Sequence, residues 1–413
     1  MAETPCRNIG GGFLFVDVPN PMYIFNMRKV YLDHTATTPL DPEVLEAMMP
    51  YFLQKFGNAS SIHRFGQESK AALDESRNTI AKILGAQQGE LIFVSGGTEA
   101  DNALIKGVAR NMRTGSGKDH IVTSNIEHHA VLETCKSLED EKFTVTYVDA
   151  DADGCVSPEN VFKAIRPSTG IISIMHANNE VGTVNRIETI GRFARERNIL
   201  FHTDAVQTFC KLPVNVADMN IDLLSISAHK IYGPKGIGAM FIRKGVQIDR
   251  LIDGGAQERG RRAGTENVPL AVGFATAARL MNQSRENQSH RLLGLKNKLR
   301  SMLKERFPFV LFNGHPSESL PHILNISFDS RKIRIDGESL LFNLDLAGIA
   351  VTSGSACTSG SQEPSHVLLA MGRDRATAKA SIRFSMGNST TEEDINYTFN
   401  ELEKIVSRIG TIL

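Results

Sequence analysis

The chain reads Ser227-Ala228-His229-Lys230-Ile231-Tyr232-Gly233-Pro234 directly after an apolar run, and this stretch decides its fold class. Lys230 ends a predicted strand beside polar groups, where partial burial lowers the pKa of an amine and lets it react with an aldehyde. Upstream, Phe201-His202-Thr203-Asp204-Ala205-Val206-Gln207 supplies Asp204 after another predicted strand. A carboxylate there can keep a pyridine nitrogen protonated, which makes the ring an electron sink. The pairing indicates an enzyme whose cofactor is an aromatic aldehyde.

Length and composition describe an ordinary globular protein. The chain has 413 residues, of which 41% are hydrophobic and 22% are charged, and Lys plus Arg equals Asp plus Glu at 46 each. The length predicts two domains. The balanced charge gives no global field that favours nucleic acid or an anionic membrane. No apolar run approaches the ~20 residues that a membrane-spanning helix needs, so we expect a soluble, cytoplasmic protein.

The cysteines are widely separated and form no C-x-x-C pair: Cys6, Cys135, Cys155, Cys210 and Cys357. Neither a disulfide framework nor a zinc ribbon is indicated, and a reducing compartment fits best. Cys357 differs from the others because Ser353-Gly354-Ser355-Ala356-Cys357-Thr358-Ser359-Gly360 offers little to bury. Such a loop should be exposed, and exposure permits the reactive thiolate. A lone cysteine is more often a small buried hydrophobe, which is what we expect of Cys135, Cys155 and Cys210.

Helix and strand patterns alternate through the first two thirds of the chain. Strands are predicted at 91–94, 121–124, 145–148, 171–175, 200–202, 223–226 and 239–242, with helices opening at Pro42, Gln67, Thr98 and His129. This alternation indicates βαβ units around a mostly parallel sheet. A long helical pattern over 271–304 replaces it, followed by strands at 323–328 and 382–384, a helix over 337–346 and a final helix from Thr391. The second part is typical of a smaller α+β domain.

From about Tyr31 onward the chain resembles the class V aminotransferase group of fold type I pyridoxal-phosphate (PLP) enzymes. The Cys357 stretch resembles the nucleophile loop of cysteine desulfurases of the NifS/IscS kind. The resemblance implies an α/β, fold type I PLP-dependent transferase with a large, mostly parallel sheet domain over 40–270 and a smaller α+β domain. The smaller domain would combine 27–39 with 271–413. Residues 1–26, which contain Gly10-Gly11-Gly12 and Pro19-Asn20-Pro21, are expected to be an irregular extension.

The resemblance also implies the activity and the assembly. A cysteine desulfurase converts L-cysteine to L-alanine and transfers the sulfur to a thiol, here Cys357, as a persulfide for iron–sulfur cluster or other sulfur-acceptor biosynthesis. Lys230, Cys357 and His128 are the implied catalytic residues. The segment 257–265 resembles the stretch through which one subunit completes its neighbour's phosphate site with Thr265. A homodimer with shared active sites is therefore expected, although the basic run in this segment could instead be a solvated loop.

Ser95-Gly96-Gly97-Thr98-Glu99 follows a predicted strand and opens a helix. Glycines let the backbone approach an anion, and the helix N-terminus offers free N–H groups. An ordinary strand-to-helix turn explains this motif equally well on its own. With the resemblance added, the implied phosphate ligands are Gly97, Thr98, Ser227 and His229. The last two would point the same way if their strand continued that far.

The other implied cofactor residues each have a plainer reading. Asp204 would pair with the pyridine nitrogen but could instead cap a helix, and Gln207 would donate to the phenolic oxygen. Asn179 would contact a cofactor oxygen and the substrate but could simply form a turn. His128 would stack on the pyridine ring and move protons, since a histidine pKa lies near neutrality. Spacing alone does not separate His128 from its neighbour His129.

Arg383 lies in Ser381-Ile382-Arg383-Phe384-Ser385, a predicted strand. A guanidinium binds a carboxylate with two hydrogen bonds, and the resemblance implies that Arg383 holds the α-carboxylate of the substrate. A strand arginine paired with a surface acid explains the position equally well. Lys235, in Pro234-Lys235-Gly236, competes with Lys230 but is typical of a solvated turn lysine.

Two features depart from the family pattern. His34-Thr35 replaces the usual Asn- or Ser-containing version near the start, and the final helix stops almost at Leu413, whereas housekeeping members carry a longer tail that engages an iron–sulfur scaffold. Docking to such a scaffold, and service of Cys357 as a transient iron–sulfur ligand, stay open. The competing functions are a selenocysteine lyase or an aminotransferase of the same fold and, more remotely, a PLP-free scaffold protein.

Overall fold

The computed structural model describes residues 28–354 and 363–413. Cys357 and the 1–26 extension lie outside the described residues. The first elements are β1 (Val30–Tyr31), α1 (Pro42–Leu53) and α2 (Arg64–Leu84). The predicted start of α1 is confirmed, because the Asp41 side chain accepts from the Glu43 amide at 2.9 Å and Pro42 occupies the first turn.

The predicted main sheet is confirmed. Within the described residues it has seven strands, namely β2 (Leu91–Val94), β3 (His120–Ser124), β4 (Thr144–Val148), β5 (Thr169–Ser173), β6 (Leu200–Asp204), β7 (Leu223–Ser227) and β8 (Gly238–Ile242). Their order is β2-β8-β7-β6-β5-β3-β4. β8 runs antiparallel to β2 and β7, and the other neighbours are parallel. The central strands are buried along their whole length, as expected when helices cover both faces.

The connecting helices are α3 (Gly97–Ser116), α4 (His129–Asp140), α5 (Pro158–Lys163) and α6 (Ile187–Glu196). The last two are short and were not predicted. The predicted long helix is α7 (Val268–Arg306), which spans 39 residues. No helix of the described ranges is both long and apolar enough to cross a membrane.

The C-terminal part is built on β9 (Val310–Asn313), β10 (Ile323–Phe328), β11 (Ile333–Arg334), α8 (Gly337–Leu346), β12 (Ile349–Ala350), α9 (His366–Ala370), α10 (Arg375–Lys379), β13 (Ser381–Ser385), α11 (Glu392–Ile409) and β14 (Thr411–Ile412). β10 lies between β9 and β13, antiparallel to both. β1 pairs in parallel with β12, and Val30 and Leu32 belong to the hydrophobic core of this part. The early residues therefore pack with the C-terminal part, while the domain boundaries stay a prediction.

Candidate active site

A cavity of about 410 Å³ opens where β5, β6 and β7 end. In open α/β sheets this carboxyl edge is where ligands bind. The cavity is bordered by ten of the residues proposed from the sequence: Gly97, Thr98, His128, Asn179, Asp204, Gln207, Ser227, His229, Lys230 and Arg383. The structure thus brings together side chains that are separated by up to hundreds of positions in the chain.

Lys230 follows β7 in a short 3-10 turn, Ala228–Lys230. The strand does not continue to His229, because the chain turns so that the amides of Ile231 and Gly233 both donate to the carbonyl of Ala228 at 3.0 Å. Ser227 and His229 still both border the cavity, since the turn rather than the strand presents His229.

The Lys230 ammonium is held at the cavity wall. Its Nζ donates to the carbonyl oxygens of Thr35 at 2.6 Å and Ala36 at 2.7 Å. Burial, followed by the Arg383 charge, lowers the pKa of Lys230 to about 8, while Asp204 opposes the shift. An amine with this pKa can give up its proton near neutral pH, as a base or nucleophile requires. Lys235, by contrast, is exposed.

Asp204 is the last residue of β6 and is buried, with 8% of its surface exposed. Its Oδ1 accepts from the Val206 amide at 2.8 Å. Burial is the main cause that raises the pKa of Asp204, and the nearby Lys230 works against it. A cation placed against this carboxyl would therefore be strongly favoured.

Further acids lie beneath Asp204. Burial raises the pKa of Asp101, and the Asp204 charge raises it further. Burial likewise raises the pKa of Glu127 to about 8. His202 accepts or donates between Ser173 Oγ at 2.8 Å and Ser225 Oγ at 3.1 Å, and burial lowers its pKa to about 3. Burial thus disfavours the charged forms of Asp101, Glu127 and His202.

The start of α3 is shaped for an anion. Gly96 is the N-cap residue and has no side chain, so no capping side chain accepts a hydrogen bond from the first amides of the helix. A Cβ at Gly97 would lie 2.8 Å from Val206 Cγ2, which explains a glycine at this position. Glu99, the acid of this turn, is engaged elsewhere, because its carboxylate accepts from the Ser95 amide at 2.7 Å and from Arg262 Nε at 2.8 Å. Exposed Thr98 adds a hydroxyl beside the free amides.

The two histidines differ in environment although both border the cavity. His128 caps α4, with its Nδ1 accepting from the Ala130 amide at 3.1 Å, and its ring is open to the cavity. The protein packed around it lowers the pKa of His128 to about 4, with a smaller effect from Lys230. His129 lies against His366, with ring centroids 4.8 Å apart. His128 is the one held in a fixed orientation, through the cap.

The two asparagines after β5 also divide their roles. Asn178 forms the turn, since its Oδ1 accepts from the amides of Glu180 and Val181 at 2.8 and 3.0 Å. Asn179 borders the cavity. Gln207 donates from Nε2 to the Thr35 carbonyl at 3.1 Å, and its buried Oε1 has no partner among the described residues. Gln207 therefore has one amide hydrogen and its oxygen left for a ligand.

Arg383 enters the cavity from β13 in the C-terminal part. Its Nη2 lies 2.8 Å from Asp33 Oδ1 and its Nη1 donates to the Asn179 carbonyl at 3.0 Å. Asp33 is 14% exposed and Arg383 6% at the side chain, so the partner is a largely buried acid rather than a surface one. Arg383 Nε is buried and has no partner in the described part of the chain. A guanidinium held on one side with a free N–H suits a carboxylate ligand.

Thr265 does not join this group. It is exposed and borders a separate cavity with Ser95 and Arg262. The loop before it is fixed by a buried ion pair, in which Arg77 Nη1 lies 2.6 Å from Glu258 Oε2. Cys357 cannot be placed, since it is outside the described residues; Thr352 and Gly354, just before the undescribed segment, border the active-site cavity. In the described ranges there is no cluster of His, Cys, Asp and Glu that could hold a metal ion.

The residues present fit PLP. The uncapped start of α3 suits the phosphate, and buried Asp204 suits the protonated ring nitrogen. The unpartnered Gln207 Oε1 and Arg383 Nε are buried polar atoms at the cavity that a bound molecule would satisfy. Lys230 is the residue whose amine would react with the aldehyde, and its contacts with two carbonyls place it at the wall of the same cavity.

Sequence reasoning missed several groups of the site. Asp33 lies 350 positions from Arg383, and no local pattern links them. The Thr35 and Ala36 carbonyls hold Lys230 through the backbone, which carries no sequence signal. Glu180, next to Asn179, is buried and accepts from Ser365 Oγ. An acid beside Asn179 in the loop after β5 could have been suspected, because buried acids seldom lack a partner.

Comparison with known proteins places these features in context. The family model of the aminotransferase class-V family matches residues 30–398. "Cysteine desulfurase IscS" of Dictyoglomus turgidum is 50% identical over 385 residues, which cover 93% of this chain and 96% of that protein. A solved structure of a "NifS-like protein" superposes with a TM-score of 0.85 at 39% identity, covering 92% of this chain and 100% of that one. "SspA in complex with cysteine" gives a TM-score of 0.77 at 39% identity, with coverages of 87% and 99%.

Proposed function

The chain belongs to the aminotransferase class-V family, and we propose which of its residues perform the reaction of a PLP-dependent cysteine desulfurase. The enzyme converts L-cysteine to L-alanine and passes the sulfur on. The observation that carries the proposal is the convergence of Lys230, Asp204 and Arg383 on one cavity. PLP, when bound, supplies an aldehyde for linkage to an amine and a ring that withdraws electrons from the substrate Cα.

Arg383 binds the α-carboxylate of L-cysteine and thereby turns the Cα–H bond toward Lys230. Lys230 removes the Cα proton, a task that its lowered pKa of about 8 supports. Asp204 keeps a proton on the ring nitrogen, since a buried carboxylate without a counter-charge is costly. His128, fixed by its cap at α4, moves protons at the opposite side of the substrate. Asn179 and Gln207 orient the bound molecules through their side-chain amides.

Cys357 is the proposed sulfur acceptor. Its thiolate attacks the substrate sulfur, so an S–S bond forms while the Cβ–S bond breaks. The electron pair of the broken bond stays with carbon, a proton is added at Cβ to complete L-alanine, and Cys357 carries a persulfide. The other described cysteines suit this task less, because burial raises the pKa of Cys135 to about 12 and also raises the pKa of Cys210.

We also infer a homodimer with shared active sites. Large apolar side chains are exposed on and after α1, among them Phe52 at 50%, Leu53 at 67%, Phe56 at 68% and Ile62 at 92%. Exposed apolar groups in such density are typical of a protein interface. Thr265 is exposed and does not border the active-site cavity of its own subunit. This position supports a role at the phosphate site of a partner subunit.

The broader setting is inferred from the same premise. The persulfide would pass to a sulfur-acceptor protein, such as an iron–sulfur scaffold, in the cytoplasm, and Cys357 as a transient cluster ligand belongs to the same inference. The division into 40–270 and 27–39 plus 271–413 places the PLP residues from 97 to 230 in one domain and Arg383 in the other. A relative motion of the two would then open and close the substrate site.

The test is a visible spectrum of the purified protein before and after L-cysteine, with sulfide and L-alanine measured on the same sample. A yellow cofactor band, and equal amounts of alanine and sulfide with a reductant present, are expected. Cys357→Ser should keep the yellow band and stop sulfide release. Cys155→Ser, which alters a half-buried cysteine of β-turn context, is the matched control and should keep full turnover.

Three outcomes contradict parts of the proposal. Retained sulfide release by Cys357→Ser removes the sulfur acceptor. Alanine formation that depends on an added 2-oxo acid indicates an aminotransferase, and a much higher rate with selenocysteine indicates a lyase for selenium.

A further inference from the structure

Lys230 also borders a second cavity, of about 30 Å³, which we name the rear cavity. A single water needs roughly 10–15 Å³ of such space, so the rear cavity holds about two waters or one small ion. Its wall includes nitrogen- and sulfur-bearing side chains from several elements: His34, Cys210, Lys211, Lys230, Arg285 and His322. None of these except Lys230 has a part in the proposed reaction.

The charge around the rear cavity is one-sided. Three cationic side chains border it, and no Asp or Glu of the described residues does. Lys211 Nζ lies 3.4 Å from His322 Nε2, its one hydrogen-bond contact in the described chain. Arg285 donates to Asn282 Oδ1 at 2.8 Å, which is a neutral acceptor. Cations away from bulk water normally have an anionic partner, because desolvation without one is costly.

His34 provides a second, independent observation. It is 2% exposed, and neither Nδ1 nor Nε2 has a hydrogen-bond partner among the described residues. The ring packs over Gly387, where a Cβ would lie only 2.3 Å from Nε2, and the Tyr31 ring packs edge-on against it with the centroids 4.9 Å apart. A buried ring with two unsatisfied nitrogens calls for a ligand in the space beside it.

Electrostatics agree with this geometry. Burial, and then the Lys211 charge, lower the pKa of His34 to about 4. The same two causes, with Lys296, His34 and Arg383, lower the pKa of His322. Burial and Lys230 lower the pKa of Lys211 to about 7. The positive charge of each basic group thus disfavours protonation of the others. An anion bound among them would raise the pKa of Lys211, His34 and His322 together.

We propose that the rear cavity binds one small monovalent anion of the halide class, held by the Lys211 ammonium and a ring N–H of His34. The volume suits a single-atom anion and is tight for sulfate or phosphate. Half-buried Lys211 and Arg285 give a route from solvent. An alternative is that Lys211 is neutral and the cavity holds only water.

Occupancy has a consequence that rests on the proposed role of Lys230. Because Lys230 borders both cavities, a bound anion favours its ammonium form and opposes its action as a base. Halides should then slow turnover as they bind. Anion binding itself is measured without turnover, so a failure of the proposed function leaves the binding result intact.

The experiment is a chloride and bromide titration of the holoenzyme at constant ionic strength, balanced with sulfate, with melting temperature as the readout. The wild-type protein should show a saturable rise in melting temperature. Lys211→Met, which keeps the stem and removes the charge, should weaken halide affinity by about tenfold or more. Lys296→Met is the matched control. Its Nζ donates to Ser319 Oγ at 2.9 Å and the Leu320 carbonyl at 3.0 Å, outside the rear cavity, so the loss of halide affinity should be clearly smaller than in Lys211→Met.

Crystals of the wild-type holoenzyme soaked in bromide decide the matter even if Lys211→Met does not fold. An anomalous bromine peak between Lys211 and His34 supports the site. An empty or water-filled cavity overturns it, as does a halide response that is absent or is equal in wild type and Lys211→Met.

Discussion

The two cavities that share Lys230 differ in how their charges are matched. At the active site, Arg383 has Asp33 at 2.8 Å, and Lys230 has the favourable charge of Asp204 nearby. In the rear cavity, the one hydrogen-bond contact of Lys211 Nζ within residues 28–354 and 363–413 is the His322 ring at 3.4 Å. Burial lowers the pKa of both lysines, to about 8 for Lys230 and about 7 for Lys211. Burial therefore lowers the pKa of both amines. The two lysines differ in the acids around them, and the lysine with acids nearby is the one proposed to take part in the reaction.

The largest effect should come from removing the shared lysine. Lys230→Ala deletes both the amine for the aldehyde and the base at Cα, so turnover of L-cysteine should fall by ~10³-fold or more. Assays of alanine release measure the loss, and the absorbance of the lysine-linked cofactor should disappear. Lys235→Ala, at an exposed position five residues further on, should behave as wild type. Equal losses in both variants would contradict the assignment of Lys230.

Asp204→Asn tests the acid that lies near Lys230 in the active-site cavity. The amide keeps the shape but cannot hold a proton on the ring nitrogen, so turnover should fall by about 10²-fold. The visible spectrum of the holoenzyme should also change its pH dependence, which a purely structural loss would not produce. Asp218→Asn, at an exposed position, is the control. An unaltered titration of the spectrum would show that Asp204 does not face the ring nitrogen.

A smaller effect is expected from the acid that holds Arg383. Asp33→Asn keeps one acceptor but removes the charge that orients the guanidinium, and losing a charge-assisted hydrogen bond should raise KM for L-cysteine by about tenfold. The kcat should change less, because Asp33 lies beside the carboxylate clamp and not at Cα. Arg383→Lys should give a larger rise in KM. A fall in kcat at unchanged KM would argue against the clamp.

The sequence predicts the groups of the active site far better than those of the rear cavity. Lys230, Asp204 and the turn at Gly97 each follow an apolar strand, so local pattern places them at one edge of a parallel sheet. The pairing of Asp33 with Arg383 depends on β1 lying beside β12, a contact across the whole chain. β8 lies between β2 and β7 and runs antiparallel in an otherwise parallel sheet. This position and direction depend on tertiary packing, which local sequence patterns do not specify.

His34 shows the limit most clearly. In the sequence, His34 is one residue after Asp33 and differs from the family pattern in a way that suggests no chemical role. Only the fold shows that its ring is closed off from solvent beside Lys211, since Lys211 follows β6 by seven residues and approaches from another layer. Burial and unmet hydrogen bonding are properties of packing, and composition does not report them.

The smallest expected effect concerns Lys211 and stability. Its pKa is about 7 in the folded protein, below the usual value near 10.5 in the unfolded chain. Between these values the unfolded chain binds more protons, so stability should rise with pH from about 7 upward, by at most about 1.4 kcal/mol per pH unit. The groups that face Lys211 and share in this balance are Lys230, His34, His322, Cys210 and Arg285.

Urea unfolding of the holoenzyme at pH 7, 8 and 9 without halide measures this slope. Lys211→Met should flatten it, while Lys235→Met, at an exposed position outside the rear cavity, should leave it in place. Saturating chloride should also flatten it in the wild type, because an anion raises the folded-state pKa of Lys211 and keeps the proton bound in both states. If chloride does not alter the slope, Lys211 is neutral in the folded protein and no halide binds in the rear cavity. The cations of the active site would then have acids as partners, whereas the rear cavity would hold no anion.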